Sequence, residues 1–347
     1  MEYYIQLDIK TAFLNGEVEE ELYTQQPKGY IKKGEEHLVC RLLKSLYGLK
    51  QASRNWNKEL TKFLELIGFK QLRSEDCIYF HEVKQIITLV YVDDLLITGN
   101  NDENIKWTKE KLFSKYKVRD LRKANWILGI KIDYNNEVIF LSQQVYVNKL
   151  LKRFGMDKSK HMATPIVKQI CEHGDHLEFK DNNLYRQVIG TLLFLANSTR
   201  PDISYAISYL SRYVQKPLNH HWISLKRIMR YLVGTKQFGL FYSYNTEKCL
   251  YAYIDAAYAN NSEDRKSTTG CVVYYNNTPI AWSRKKQQVI ATSSTEAEYM
   301  ALCYGFKNIL WLRNVLSELK LLSKEPTIVY EDNHGQKWFK YEKIKAY

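Results

Sequence analysis

The chain has 347 residues, of which 45% are hydrophobic and 26% charged, a globular balance that excludes collagen, low-complexity disorder and a disulfide-stapled miniprotein. At roughly 150 residues per domain, two or three domains are predicted. Lys and Arg number 51 against 38 Asp and Glu, a net charge of +13. That surplus favours a polyanionic partner, nucleic acid or an acidic membrane surface, the alternative being a merely soluble basic protein. Tyr is abundant, 27 against 13 Phe, and its ring suits base stacking and sheet packing equally. The six cysteines, at positions 40, 77, 171, 249, 271 and 303, form no C-x-x-C pair and read as reduced thiols. The longest apolar stretch, Ile86 to Val92, falls far short of the roughly 20 residues of a membrane span. No apolar signal core opens the chain, so an intracellular protein without membrane contact is expected.

Strand periodicity begins at once, with Ile5, Leu7 and Ile9 alternating with Gln6, Asp8 and Lys10. A start inside a core strand leads us to expect a missing upstream segment. A helical stretch is predicted near Thr11–Leu14, then an acidic loop over Glu17 to Glu21, then a strand pair within 78–98. Residues 103–117 read as a helix. WILGIKIDY and EVIFLSQ flank Asn135-Asn136, a hairpin turn because Asn tolerates positive φ. Gln144 to Phe154 reads as a helix, 157–183 as a linker, and Tyr185 to Leu232 as helical. From Cys249 a strand, a hairpin across Asn276-Asn277, a long helix from Ser294 to Leu319 and a strand at TIVYED predict a mixed α/β unit.

Alternation puts Asp8 on the face opposite Ile5, Leu7 and Ile9. Asp93 and Asp94 sit between the apolar runs Ile87–Val92 and Leu95–Ile97, where adjacent like charges are costly. A divalent cation would remove that cost, and hard cations take carboxylate oxygens. The alternative is ordinary turn chemistry.

The stretches LDIKTAFLNG, KSLYGLKQASRNW and YVDDLLITG resemble the reverse transcriptase of copia-type retrotransposon Pol polyproteins. LGIKI, TRPDI, LSRY, KRIMRYLVGT, STTG and SSTEAEYMAL extend the resemblance from about residue 5 to about residue 335. It implies a mixed α+β fold: a right-hand polymerase palm and thumb with the fingers largely missing, followed by a ribonuclease H-like α/β domain. The implied boundaries are 1–160 for the palm and thumb start, 161–248 for a linker and helical thumb or connection, and 249–347 for a truncated ribonuclease H-like domain.

Asp8, Asp93 and Asp94 are then the implied palm carboxylates, with Asp8 and Asp93 the principal ligands and Asp94 a supporting charge. Two Mg²⁺ or Mn²⁺ ions per site are expected. Phe13 resembles the aromatic gate that rejects a ribose 2′-hydroxyl, the alternative being a core Phe. Tyr47, Gly48, Lys50 and Gln51 resemble the segment lining nucleotide and template, while Ser53 stands where the family has proline. The implied partners are an RNA template, a DNA primer, their hybrid, dNTPs and the rest of a Pol or Gag polyprotein.

In the C-terminal part Asp255 ends a strand. Ser293-Ser294-Thr295-Glu296 fits a capping box in which Glu296 reaches back to the Ser293 N–H. Residues two apart on a helix do not share a face, so Glu298, heading the stripe Ala301, Leu302, Gly305 and Ile309, is the metal candidate. Asp332 is the third carboxylate, and the family's fourth has no counterpart before Tyr347. Lys226, Arg227 and Arg230 are candidates for tracking backbone phosphates, or a solvated helix face. His220, His221 and Trp222 are read as packing or touching phosphate. Cys171, His173 and His176 have ligand-like spacing without a fourth ligand and are read as a solvated loop. The expected function is RNA-directed DNA synthesis with an associated ribonuclease H, impaired by the missing segments. The alternative is a catalytically inert Pol remnant that only binds nucleic acid.

Overall fold

The computed structural model describes residues 3–135, 137–167, 175, 177–244, 249–261, 263–323 and 325–331. It divides into two units, Met1–Ala124 with Asn314–Leu321 and Asn125–Arg313 with Leu322–Tyr347.

The first unit starts with β1 (Tyr3–Ile9), a 3-10 turn (Ala12–Asn15), β2 (Tyr23–Gln25), β3 (Val39–Arg41) and α1 (Ala52–Leu66). It continues with β4 (Lys70–Gln71), β5 (Ile78–His81), β6 (Ile86–Tyr91), β7 (Asp94–Gly99), α2 (Asp102–Lys115) and β8 (Val118–Lys123). Six strands make one antiparallel sheet in the order β4-β5-β6-β7-β1-β8, and β2 and β3 form a separate ribbon. Every second residue of the central strands goes inward: Leu7 and Ile9, Ile86 and Val90, Leu95 and Ile97. The stripe Trp56, Leu60, Phe63 and Leu64 of α1, at helical spacing, closes the same core with Ile105 and Leu112 of α2. Asn101 caps α2 by accepting from the Glu103 N–H at 2.7 Å.

The strand β8 escapes the sequence pattern, because Arg119, Asp120, Arg122 and Lys123 obscure its alternation. Its place explains the charge: it is an edge strand, where charged side chains discourage pairing with other chains.

The second unit contains β9 (Trp126–Ile127), β10 (Ile130–Tyr134), β11 (Val138–Ser142), α3 (Gln144–Arg153), α4 (Asn182–Ser198), α5 (Ser204–Leu210) and α6 (Asn219–Gly234). After these come β12 (Gly239–Ser243), β13 (Leu250–Ala257), β14 (Thr268–Tyr275), β15 (Thr278–Lys286), α7 (Ser294–Glu318, whose last turn is counted with the first unit) and β16 (Ile328–Tyr330). One sheet runs β12-β11-β10-β9, the other β15-β14-β13-β16, with β16 parallel to β13. Leu150, Leu151, Tyr185, Leu192, Leu225 and Met229 belong to the core that α3, α4, α5 and α6 share. The expected turn Asn276-Asn277 is present, and positive φ at both residues (52° and 62°) is the mark of a type I′ hairpin. Asn136 of the other expected turn lies outside the described residues.

Several of the sequence motifs meet one another inside this unit. Arg200 of TRPDI, 1% exposed, is gripped by Asp202 at 2.7–3.2 Å and bonds the Thr235 carbonyl and hydroxyl of VGT at 2.9 and 2.6 Å. Arg212 of LSRY donates to Thr268 of STTG at 3.2 Å. The indole N–H of Trp282 on β15 donates to the Ala196 carbonyl of α4 at 2.6 Å. These motifs join helices to one another and to the last sheet.

Candidate active site

Pairing of β1 with β7 sets Asp8 opposite Asp94, and β6 and β7 are joined by the two residues Val92 and Asp93. The Ile9 N–H donates to the Asp93 carbonyl at 2.8 Å, tying the turn to the strand that carries Asp8. All three carboxylates are half-buried. Asp94 is further held by the Gln6 side-chain amide, which donates to its Oδ1 at 3.1 Å. Gln6 shares the Asp8 face of β1, and the strand alternation could have identified it. Arg119 lies opposite Asp8 on β8, yet among the described residues no ion pair reaches Asp8, Asp93 or Asp94.

Strain collects beside these groups. Val92 has φ 57° and Thr11, just after β1, has φ 54°. Left-handed backbone is unfavourable for β-branched residues and persists where surrounding contacts impose it, commonly at functional sites. Of the two turn residues only Val92 has positive φ, the pattern of a type II′ turn that normally takes Gly there. Its carbonyl accepts from the indole N–H of Trp56 at 2.6 Å. Trp56 lies in one of the quoted motifs, but its burial at helical spacing reads as core, and sequence reasoning gave it no role.

Phe13 stands in the 3-10 turn that follows β1, half-buried, with its ring 4.7 Å from that of Tyr47 at 45°. Tyr47 is exposed, and Gly48 after it has φ 101°, which glycine adopts without strain. Lys50 is exposed. Gln51 precedes α1 and donates to Glu20 Oε2 at 3.3 Å, so its side chain is engaged with the acidic loop. The structure therefore brings Phe13 and Tyr47 together. Gly16 lets this region close on α1, since a Cβ there would sit 2.9 Å from the Trp56 amide nitrogen.

The second carboxylate set assembles less completely. Asp255 is exposed on the β13 face that carries Tyr251 and Tyr253. Glu298, 6% exposed, belongs to α7, which packs on the opposite face so closely that a Cβ at Gly305 would strike Ile254. Asp332 lies outside the described residues, as do Cys171, His173 and His176. Ser293 accepts from the Glu296 N–H at 3.1 Å, as expected of a capping box. Glu296 itself reaches one residue further back than expected, accepting from the N–H and hydroxyl of Thr292 at 2.6 Å each. Those bonds, the hydroxyl first, hold its carboxyl below the usual range.

Among the basic candidates, Arg227 donates to the Thr164 hydroxyl at 2.8 Å and Arg230 to the Lys160 carbonyl at 2.8 Å. Lys226 lies 5.9 Å from the Trp222 ring centre. The two guanidinium groups thus have partners within the chain. His220 and His221 are buried, and the His221 ring stacks on Tyr213 at 3.8 Å.

Residues 2–168 match the reverse transcriptase (RNA-dependent DNA polymerase) family. The chain is 39% identical over 335 residues to the retrovirus-related Pol polyprotein from transposon RE2 of Arabidopsis thaliana, covering 95% of this chain and 23% of that protein. It is 38% identical over 344 residues to the retrovirus-related Pol polyprotein from transposon TNT 1-94 of Nicotiana tabacum, with 95% and 26% covered. A putative transposon Ty5-1 protein of Saccharomyces cerevisiae is 36% identical over 301 residues, with 85% of this chain and 97% of that protein covered. The chain belongs to the copia-type retrovirus-related Pol polyproteins.

It spans about a quarter of the length of the plant Pol polyproteins it matches. The matched Pol reverse transcriptase segment contains Asp8, Asp93 and Asp94, hard oxygen donors with no ion-pair partner among the described residues, and carboxylates are the donor type a divalent ion takes. Among the described residues no group of three or more His, Cys, Asp or Glu is arranged so that it could hold a metal ion. Backbone pairing brings the residues Asp8, Asp93 and Asp94 to one end of the sheet, without arranging their side chains as a metal site. No helix among the described residues is long and apolar enough to cross a membrane.

Proposed function

We propose that this reverse transcriptase segment performs RNA-directed DNA synthesis at Asp8, Asp93 and Asp94. In this reading residues 1–160 are palm and thumb start, 161–248 a helical thumb or connection, and 249–347 a ribonuclease H-like part. The single observation that carries it is the pairing of Asp8 with Asp94 across β1 and β7, with Asp93 in the strained turn between β6 and β7. Asp8 and Asp93 would be the main metal ligands, and Asp94, turned to Gln6, a supporting charge. Two bound Mg²⁺ ions would supply charge stabilisation for the attacking and leaving oxygens of a phosphoryl transfer. The Phe13 ring, backed by Tyr47, would sit under the incoming sugar and exclude a 2′-hydroxyl. Gly48, Lys50 and Gln51 would line nucleotide and template. RNA template, DNA primer and dNTPs are the corresponding substrates.

The test is primer extension on poly(A)–oligo(dT) with Mg²⁺. Synthesis is expected, and Asp93→Asn should lower it by about 100-fold or more, since a charged ligand is lost while the hairpin keeps its shape. Unchanged synthesis in that variant refutes the assignment. The strand order β15-β14-β13-β16 with the long helix α7 supports the ribonuclease H-like reading of the last part. On a labelled RNA–DNA hybrid, the same preparation should lose cleavage with Glu298→Gln and keep it with Glu296→Gln, whose carboxylate is engaged by Thr292.

A further inference from the structure

The Trp56 indole is a donor only and offers no oxygen to a cation, and its side chain is held by both packing and a hydrogen bond. It is 2% exposed, and its ring is fixed edge-on by Tyr116 at 5.3 Å and 79°. Tyr116 in turn stands edge-on to Phe63 at 5.3 Å. From this fixed position the indole N–H reaches out of α1 to the Val92 carbonyl at 2.6 Å. Val92 is one of two β-branched residues beside the carboxylates with left-handed backbone. A β-branched side chain at φ 57°, where a II′ turn favours Gly, does not keep that backbone without an outside contact. The next residue is Asp93, whose carbonyl accepts from the Ile9 N–H at 2.8 Å. The turn is therefore pinned on one side by the helix and on the other by the strand of Asp8.

We propose that Trp56 is a positioning residue, holding Val92 in its left-handed conformation and so fixing the Asp93 carboxylate beside Asp8 for a divalent cation. The chain of contacts is short: ring packing sets the indole, the indole sets the Val92 carbonyl, and the peptide after it carries Asp93. This rests on the polymerase reading of the three carboxylates, and the experiment separates the two.

Mn²⁺ binding to the full chain, followed by electron paramagnetic resonance, is compared for wild type, Trp56→Phe and Asp93→Asn. The thermal midpoint of each is measured without metal. Asp93→Asn should lose binding. Trp56→Phe should bind Mn²⁺ about 10-fold more weakly, the usual cost of removing a contact that orients a ligand, at temperatures well below its midpoint. In a Val92→Gly background the Trp56→Phe effect should shrink, because Gly takes positive φ without help and the two changes are then coupled. Replacing Trp56 by benzothienylalanine, which keeps the ring shape and lacks the N–H, repeats the measurement with packing intact. Mn²⁺ binding unaltered in Asp93→Asn would overturn the polymerase site itself. Binding lost in Asp93→Asn but unaltered without the indole N–H, or weakened equally in both backgrounds, would overturn only the role of Trp56.

Discussion

Phe13 touches Tyr47 at 4.7 Å between ring centres, and that contact decides how a substitution there should behave. The Phe13 ring is half-buried, resting on the exposed Tyr47 and on the edge of the core, so removing it opens space in the turn after β1 without taking a fully buried side chain out of the core. Phe13→Ala is expected to raise incorporation of rNTP relative to dNTP by about 10-fold or more, since steric exclusion of a hydroxyl is lost, while dNTP addition slows less. Parallel single-nucleotide extensions with dTTP and UTP measure the ratio. An unchanged ratio would make Phe13 a packing residue. At the same scale, Thr11 and Val92 show that the backbone on both sides of the carboxylates is held in conformations their side chains do not favour.

At the scale of elements, the approach of the 3-10 turn to α1 is set by one missing side chain. A Cβ at Gly16 would lie 2.9 Å from the Trp56 nitrogen and 3.0 Å from the Asn55 carbonyl carbon, both backbone atoms that cannot rotate away. The neighbouring segment is fastened at the same place, with the Ser45 N–H donating to the Gly16 carbonyl at 2.9 Å and the Asn55 amide to the Ser45 hydroxyl at 3.2 Å. Gly16→Ala should therefore push the turn off the helix and destabilise the chain by about 1–3 kcal/mol. Urea unfolding of the two proteins, compared by midpoint at equal slope, measures this. A shift below about 0.5 kcal/mol, the range of ordinary surface changes, would mean that the turn yields without cost. The network of the buried Arg200 and Thr235 with Tyr231 and the more exposed Asp202 likewise fastens the ends of α4 and α6. Its guanidinium donates to the Asp202 carboxylate and to the Thr235 carbonyl and hydroxyl, and the Tyr231 hydroxyl also donates to Asp202 at 2.8 Å.

For the whole molecule the surplus of 13 positive charges is the dominant electrostatic fact. Ion pairs such as Lys109 with Asp120 and Lys286 with Asp264 leave that surplus unchanged, and Arg227 and Arg230 are engaged by uncharged groups of the chain itself. Affinity for nucleic acid should thus come from many weak phosphate contacts rather than from one helix. The logarithm of the binding constant for an RNA–DNA hybrid should fall linearly with log salt, by roughly 0.7–0.9 per neutralised phosphate. Neutralising Lys226, Arg227 and Arg230 together should change that slope little. Fluorescence anisotropy across a salt series tests this, and a slope that collapses in the triple variant would return phosphate tracking to α6.

The sequence by itself determined the elements whose apolar residues repeat cleanly. Leu7 and Ile9 in β1, the Asn276-Asn277 turn and the long helix from Ser294 could all be read from spacing, whereas α1 is not among the predicted elements although its Trp56 stripe has helical spacing. The long motifs carried the family, and alternation put Asp8 on the outward face. The edge strand β8 could not be read, since its charges serve the sheet's border rather than its core. Tertiary structure alone decided which carboxylates meet. Register sets Asp94, not Asp93, opposite Asp8, and no local pattern encodes pairing between strands more than 80 residues apart in sequence. It also turned TRPDI, VGT, LSRY and STTG into mutual contacts, and gave Arg227 and Arg230 partners that spacing could not foresee. Left-handed φ at Thr11 and Val92 is invisible in sequence for the same reason. Local propensity argues against it, and only contacts from distant elements, such as Trp56 to Val92, hold the chain there.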